Sequence, residues 1–335
     1  MSVQSWRTKA PIRRFTIRSL GLACLLATSL THAQGLNFPS QPIRWIVPFS
    51  PGGLTDIMAR QMAPGMAKLL GTSVVVENMP GAGAIIGTTT AARMPPDGHT
   101  WVIAGSASFG INPAIRDDLQ YDPIKDFDAI CRFGGAPNVL VGHPSLGVNN
   151  VSELLQKMKE ANLSFASAGY GTASYAFQQL FRSRTGASFQ HVPYKGTAPA
   201  ITDTVAGHVP LLFETVGPLS GYIKNGQLTA FGVTSSQRLS SLPDVPTFAE
   251  QGISGMELQG WIGLAVPAGT PDSVRRKIGE ACKQVVTDAA LRNTVEPQGF
   301  LISYAGPEEF EEFIKSEIPR WKSLLATSET GTETK

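Results

Sequence analysis

The sequence lacks the short motifs that mark common hydrolases, nucleotide-binding enzymes and zinc proteases. It contains no Gly-x-Ser-x-Gly nucleophile elbow, no Walker phosphate loop and no His-Glu-x-x-His helix. The histidines after residue 33 are scattered and do not show the spacing of metal ligands: His99, His143, His191 and His208. We therefore expect no catalytic residues, no bound metal and no cofactor.

Long apolar runs are also scarce, and a short one lies near the start of the chain. Residues 1–18 carry five basic residues and no acidic one, and residues 19–30 are apolar over the length of a signal-peptide core. This run is too short to span a bilayer, which takes roughly 20 residues. Thr31 and Ala33 suit a cleavage site. We predict a secretory signal peptide over residues 1–33 and a soluble mature protein in the periplasm.

Two other export signals fit the same segment less well. Acylation at Cys24 would leave a short apolar core and a poor lipobox, and the residues after Arg13-Arg14 do not suit a twin-arginine signal.

Net charge argues against a nucleic-acid partner. The chain has 28 Lys and Arg and 26 Asp and Glu, a net charge of +2. Removal of the five basic residues of the signal leaves 23 basic and 26 acidic residues, a net charge of −3. The basic character of the chain thus belongs to the signal, and we expect no nucleic-acid binding.

Cysteine is rare, with only three residues in the chain, and Cys24 leaves with the signal. Cys131 and Cys282 remain in a compartment that permits disulfides. Both a disulfide and two buried thiols are compatible with the sequence.

Short β-rich runs alternate with helical patterns along the mature chain, which predicts βαβ units and mainly parallel sheets. About 300 residues exceed a usual single core and predict two lobes. Pro64-Gly65 lies inside the first helical pattern, so we expect this helix to kink or split. The polar end of the chain, residues 326–335, is predicted to be disordered.

Glycine and hydroxyl residues recur in loops between a β run and a helix. Such loops lie at the carboxyl ends of parallel strands, where ligands bind, and glycine lets backbone N–H groups approach an anion. In the first loop we expect Thr55 or Asp56 to cap the helix, with Asp56 turned inward or acting through water. The candidate residues from the pattern alone are Gly52, Gly53, Asp56, Ser106, Ser108, Gly169, Gly171, Thr172, Ser174, Gly196 and Thr197.

One glycine-rich loop resembles a dinucleotide-binding fingerprint but fails it. Gly81, Gly83 and Gly87 are spaced Gly-x-Gly-x-x-x-Gly, one residue too long, and no suitable partner unit follows. A glycine-rich turn onto a helix is the better interpretation.

A set of longer motifs, in this order along the chain, resembles one protein family. They are PFSPGGLTD, VVVENMPGAG, PDGHT, INPAI, YDPIKDF, HVPYKGTAPA, LPDVPTFAEQG and VPAGTP. Together they resemble the extracytoplasmic solute-binding receptors of tripartite tricarboxylate transporters, the Bug family. The resemblance covers about residues 36–325.

The resemblance implies an α/β, type II periplasmic-binding-protein fold, in which two α/β lobes joined by crossover strands enclose a ligand cleft. We expect lobe 1 over residues 36–135 plus 260–335 and lobe 2 over residues 136–259. The family performs no chemistry. It implies a small carboxylate ligand and two integral membrane subunits, one large and one small, as partners of a monomeric receptor.

The resemblance also extends the set of candidate ligand-binding residues. It supports Gly52, Gly53, Asp56, Ser106, Ser108, Gly169, Gly171, Thr172, Gly196 and Thr197, and it adds Lys195 and Glu214.

The loop after Ser167 departs from the family pattern. Tyr170, Ala173 and Tyr175 stand where relatives carry Asn, Ser and His. Because Tyr170 lies between two glycines, we expect its ring to face the cleft, with Phe109 and Trp261 nearby, and we predict a carboxylate ligand with an aromatic or otherwise apolar body. Two other functions stay open: a ligand-binding component of a signalling system, and, more distantly, a secreted hydrolase.

Overall fold

The structure is a computed structural model that describes Met1 and residues 38–326. The predicted signal peptide and nearly all of the polar C-terminal segment lie outside the described residues. The chain divides into two compact units, Met1–Ser40 and Gln41–Lys335, and the strands and helices belong to the second unit. No helix of the described part is long and apolar enough to cross a bilayer.

Strands and helices alternate from Ile43 onward, as the sequence predicts. The strands are β1 (Ile43–Val47), β2 (Val74–Asn78), β3 (Thr100–Gly105), β4 (Phe127–Gly142), β5 (Ser164–Ser167), β6 (Gln190–Pro193), β7 (Leu211–Thr215), β8 (Thr229–Val233), β9 (Gln259–Pro267) and β10 (Leu301–Ala305). The α-helices are α1 (Leu54–Leu70), α2 (Ile85–Ala92), α3 (Asn112–Ile115), α4 (Val151–Glu160), α5 (Ala173–Thr185), α6 (Thr197–Val205), α7 (Val216–Lys224), α8 (Asp272–Val286), α9 (Ala289–Val295) and α10 (Pro307–Ala326). A π-helical turn, Ser106–Ile111, joins β3 to α3.

The strands form two groups. In the first group β1 pairs in parallel with β2 and β3, and β9 pairs antiparallel with β3. In the second group β5 pairs in parallel with β6 and β7. All six residues of β3 are buried, which explains why this strand is a nearly continuous apolar run instead of an alternating one.

Strand β4 links the two groups because its halves pair with different partners. Residues 127–137 pair with β9, and residues 138–142 pair with β7. The strand order therefore runs through β4 as β2-β1-β3-β9-β4-β7-β5-β6, with β8 and β10 also on β4. The two groups share this strand, and the chain crosses between them along β4 and returns along β9.

The last helix, α10, contributes to the cores of both groups. Phe310 and Ile314 pack in one cluster with Trp261 of β9. Trp321 and Leu325 pack in another cluster with aromatic residues of β5, β7 and α5. The assignment of residues 260–335 to lobe 1 stays a prediction, but side chains from the end of α10 reach the second core.

Helix α1 corrects one expectation from the sequence, because it is not split at Pro64-Gly65. It runs without interruption from Leu54 to Leu70. The glycine has a packing role: a Cβ at Gly65 would lie 2.9 Å from Val285 of α8, so the absent side chain allows the two helices to pack closely.

Cys131 and Cys282 form a disulfide that ties β4 to α8. The two cysteines are 151 residues apart, so the bond closes a long loop in the unfolded chain.

We expect reduction of the disulfide to lower the free energy of unfolding by about 2–5 kcal/mol, because the unfolded chain regains the freedom of that loop. Urea unfolding with and without a reductant measures the difference. The double variant Cys131→Ala with Cys282→Ala is the control, and its unfolding midpoint should not respond to reductant. An unchanged midpoint for the native chain would contradict the expectation.

Candidate functional site

A cavity of about 80 Å³ lies between the two strand groups. Both groups contribute to its wall, which is mostly apolar. The lining residues are Phe49, Leu54, Thr55, Gly105, Ser106, Ala107, Ala168, Thr172, Ala173, Ser174, Thr197, Glu214, Thr215, Gly260, Trp261 and Ile262. We call this space the inner cavity.

Helix N-termini converge on the inner cavity. The first residues of α1 and α6, the caps of α5 and α7, and the start of the π-helical turn all belong to its wall. The first N–H groups of a helix have no partner inside that helix, and the helix dipole places partial positive charge there. Such an arrangement of helix N-termini can hold an anionic group through backbone donors.

Most hydroxyl groups of the wall already donate their protons within the protein. Thr172 donates to the carbonyl of Gly169 over 2.6 Å, and Ser174 donates to the carbonyl of Phe213 over 2.6 Å. Thr197 donates to Glu214 over 2.9 Å. These hydroxyls fix loops and strand ends, and their protons are not left for a ligand.

Ser106 differs from these hydroxyl groups. Its Oγ accepts a hydrogen bond of 3.4 Å from the backbone N–H of Trp261, and no hydrogen bond donated by Ser106 is formed among the described residues. Because a hydroxyl has one proton to donate, Ser106 can direct it at a ligand. The hydroxyl of Thr55, which also lines the cavity, forms no hydrogen bond among the described residues either, so Ser106 and Thr55 are the two wall hydroxyls that can donate to a ligand.

Glu214 is the one ionisable side chain among the described residues of the cavity wall. Its Oε1 accepts from the N–H and the hydroxyl of Thr215, and its Oε2 accepts from Thr197. Burial raises the pKa of Glu214 above its ordinary value, although these hydrogen bonds oppose the shift. A carboxyl group that tends to keep its proton repels an anionic ligand less than a carboxylate would.

Asp56 is buried, does not line the inner cavity and does not cap α1. The cap position is Gly53, two or three residues earlier than predicted, and it has no side-chain cap. Asp56 is already helical and reaches back to the N–H of Gly52, and it also accepts from Arg60 and Asn78. Burial raises the pKa of Asp56, but these hydrogen bonds outweigh burial and hold the pKa below its ordinary value.

A second space, which we call the outer chamber, adjoins the inner cavity and has a volume of about 370 Å³. Phe49 and Ala168 belong to the walls of both spaces. The rest of the wall of the outer chamber consists of Pro48, Pro80, Gly81, Ala82, Gly83, Ala84, Arg116, Gly169, Tyr170, Pro193, Tyr194, Lys195 and Gly196.

The predicted site residues separate into three sets. The inner cavity takes Ser106, Thr172, Ser174, Thr197 and Glu214. The outer chamber takes Gly169, Tyr170, Lys195 and Gly196. Neither wall includes Gly52, Gly53, Asp56, Ser108 or Gly171.

The aromatic residues considered from the sequence lie in different surroundings: Tyr170 lines the outer chamber and Trp261 lines the inner cavity. The ring of Tyr170 is half exposed in the outer chamber, with ring centroids 5.4 Å from Tyr175 and 4.7 Å from His191. Phe109 is fully buried against Phe127. Sequence reasoning missed several apolar wall residues, including Phe49 and Ile262; the only signal for them was their position next to the glycine-rich loops.

The two strand groups are in contact across the site, so the structure is closed. Ser50 donates to the carbonyl of Lys195 over 2.7 Å. Gly83, which follows β2, lies so close to the loop after β5 that a Cβ there would overlap the carbonyl oxygen of Tyr170. Gly171 lies equally close to the side chain of Asn112.

Comparison with known proteins places this architecture in a family. Residues 58–329 match the model of the tripartite tricarboxylate transporter family receptor. The chain belongs to this receptor family. Protein BugT of Bordetella pertussis is 32% identical over 302 residues, which cover 89% of this chain and 92% of that protein.

Solved structures of similar proteins agree. The periplasmic binding protein BugD is 33% identical with a TM-score of 0.84, over 87% of this chain and 98% of BugD. MatC from Rhodopseudomonas palustris, solved with bound malate, is 30% identical with a TM-score of 0.82. The match covers 86% of this chain and 100% of MatC. This Bug-family receptor therefore has the two-lobe periplasmic-binding-protein fold, and it is a solute-binding protein and not an enzyme.

Proposed function

We propose that this receptor captures a small carboxylate in the periplasm and delivers it to a membrane transporter with one large and one small integral subunit. The observation that carries the ligand class is the convergence of helix N-termini on an inner cavity in which the hydroxyl groups of Ser106 and Thr55 can still donate. A relative with bound malate supports the same class. The family of transporter receptors supports the partner.

The size of the inner cavity limits what lies inside it. An apolar cavity of about 150 Å³ holds benzene, whereas the inner cavity measures about 80 Å³. It accommodates a carboxylate and a few carbon atoms. An aromatic or long apolar body, as the sequence predicted, would therefore extend into the outer chamber.

Closure of two lobes around the ligand completes the proposal. We infer the lobes as residues 36–135 plus 260–335 and residues 136–259, with the hinge where β4 changes partners at residues 137–138 and where β9 begins. Binding shifts the receptor to the closed form without covalent change in the ligand. X-ray scattering should show a smaller radius of gyration with ligand than without.

Small molecules released from the purified, denatured receptor identify the ligand by mass spectrometry. A thermal-shift series of carboxylates then ranks candidates, because a ligand at 100 times its Kd stabilises the receptor by about 2.7 kcal/mol. Stabilisation by amines or sugars but by no carboxylate would contradict the proposed ligand class.

We expect Ser106→Ala to weaken carboxylate binding about 10- to 100-fold, because a hydrogen bond to a charged group contributes about 1.5–3 kcal/mol. Titration calorimetry measures the change. Ser174→Ala is the matched control, since Ser174 donates to the carbonyl of Phe213 and should affect stability more than affinity. Equal losses of affinity in the two variants would show that Ser106 has no special role.

A further inference from the structure

Glu317 of α10 is a buried acidic side chain, 2% exposed, that lines neither the inner cavity nor the outer chamber. Its Oε2 accepts hydrogen bonds from two indole N–H groups, that of Trp261 over 2.8 Å and that of Trp321 over 3.0 Å. Its Oε1 accepts from Arg320 over 2.7 Å. A buried carboxylate costs free energy unless it is paired and hydrogen-bonded, and these three donors meet that requirement. Glu317 therefore fixes both indole rings relative to α10.

The two indole-bearing residues contact different parts of the wall of the inner cavity. Trp261 of β9 belongs to that wall, and its backbone N–H donates to the Oγ of Ser106 over 3.4 Å. The ring of Trp321 packs on the π-helical turn, where a Cβ at Gly110 would lie 3.0 Å from Trp321 Cδ1. Ser106 is the first residue of that turn. Contacts thus run in a closed circuit, which we call the support ring, through Ser106, Gly110, Trp321, Glu317 and Trp261.

The support ring surrounds an irregular piece of backbone. π-Helical turns are rare and occur frequently at functional sites. All six residues of the turn Ser106–Ile111 are buried, and the turn presents the Ser106 hydroxyl to the inner cavity. A group that binds a ligand keeps its geometry when the residues behind it are locked by packing and hydrogen bonds. Glu317 supplies such a lock, because it accepts the indole proton of Trp261 on one side of the turn and that of Trp321 on the other.

We propose that Glu317 is a positioning residue for carboxylate binding, which holds Ser106 in place through Trp261 and Trp321 and does not contact the ligand. This inference rests on the proposed carboxylate-binding function. The indole hydrogen bonds carry the effect and the ion pair does not, because both indole groups bind Oε2 whereas Arg320 binds Oε1. Loss of the indole hydrogen bonds loosens the support ring, so that a ligand has to order the Ser106 hydroxyl when it binds.

Variants of Glu317 test the positioning role by titration calorimetry with succinate, malate, adipate and benzoate. Glu317→Met removes both indole hydrogen bonds and should lower the affinity for the tightest of these acids about tenfold. Glu317→Gln keeps an oxygen that can accept both indole protons, so its affinity should stay within about threefold of the native value. In a Ser106→Ala background, Glu317→Met should lower the affinity by less than about threefold, because the hydroxyl that it positions is absent.

Ile278→Ala is the control for a general loss of stability. Ile278 is buried in α8, and no residue of that helix lines the inner cavity or the outer chamber. This variant should lower the midpoint of urea unfolding and leave the affinity unchanged. Trp261→Phe interrupts the support ring at the other end of the same hydrogen bond, and it should reproduce the loss of affinity even if Glu317→Met does not fold.

Three results would overturn the positioning role while the carboxylate-binding function stands. The first is an unchanged affinity in Glu317→Met and Trp261→Phe. The second is an equal loss from Glu317→Met in the native and Ser106→Ala backgrounds. The third is a loss in Glu317→Gln or Ile278→Ala as large as that in Glu317→Met. A native receptor that binds none of the four acids would overturn both the positioning role and the carboxylate-binding function.

Discussion

Gly83→Ala is expected to hold the receptor open and to weaken ligand binding by at least about 100-fold, or about 2.7 kcal/mol. A Cβ at Gly83 would overlap the carbonyl oxygen of Tyr170, which is backbone of the opposite strand group and cannot rotate away. The two groups would have to separate to remove the overlap, and the inner cavity would open to water. Titration calorimetry gives the affinity. X-ray scattering of Gly83→Ala should give the same radius of gyration with and without ligand, and this radius should exceed that of the native receptor with ligand.

Gly147→Ala is the matched control for backbone strain. Gly147 has φ of 66°, close to the 62° of Gly83, but no atom lies within 4 Å of a Cβ placed there. Both substitutions place alanine in the left-handed region, at a cost of roughly 1–2 kcal/mol of stability. Only Gly83→Ala should change affinity. Equal affinities for the two variants would show that contact at Gly83 does not limit closure.

Gly171 shows that closure depends on more than one bare backbone position. Its φ of 74° and the overlap that a Cβ would make with Asn112 put it in the same situation as Gly83. Asn112 has little freedom to move, because it is 1% exposed and donates to the carbonyls of Gly83 and Ala107. Gly83, Asn112 and Gly171 form one contact zone between the two strand groups, and Gly83 also lines the outer chamber.

The fold could be predicted from the sequence because its signals are local. Alternation of β-rich runs and helical patterns requires only neighbouring residues, and the parallel pairing of β1, β2 and β3 follows from it. A split of the helix at Pro64-Gly65 was expected for the same reason and is not found. Local propensity favours a break there, whereas the close packing on Val285 depends on a helix more than 200 residues later.

The site was only partly predictable, because its chemistry depends on distant partners. Glycine–hydroxyl loops at strand ends predicted a concave site, and residues of several of these loops line the inner cavity. The sequence could not show that Ser174 donates its proton to Phe213, 39 residues away, whereas Ser106 keeps its proton. Gly83 was interpreted as part of a turn, since its contact with Tyr170 exists only when the two strand groups meet.

The affinity for a carboxylate should fall as the pH rises, and Glu214 is the expected cause. The inner cavity is small, so any anion inside it lies close to this carboxyl group. Above about pH 6 a simple carboxylic acid is fully ionised, and further change must come from the protein. Binding an anion beside Glu214 favours its protonated form, in which the carboxyl repels less and can donate a hydrogen bond.

Glu214 should also make the stability of the receptor depend on pH. Burial raises the pKa of Glu214 in the folded chain above its value in the unfolded chain. Below both pKa values Glu214 is protonated in the folded chain and in the unfolded chain, so its titration does not change the free energy of unfolding. As the pH rises from the unfolded pKa to the folded pKa, the unfolded chain loses its proton first, so the free energy of unfolding decreases. Glu214→Gln removes this decrease and should be more stable than the native receptor at neutral and higher pH.

The two effects give a joint test in one variant. For the native receptor we expect constant affinity below the pKa of Glu214 in the ligand-free form and an affinity that falls up to tenfold per pH unit above it. Glu214→Gln keeps a neutral side chain of the same shape, so its affinity should be independent of pH and should exceed that of the native receptor at pH 8. Calorimetry from pH 5 to 9 in buffers of equal ionic strength measures both curves. A flat native curve would show that Glu214 does not titrate in this range. Loss of binding by Glu214→Gln at every pH would show instead that Glu214 accepts a hydrogen bond from a donor on the ligand, which would reverse its assigned role.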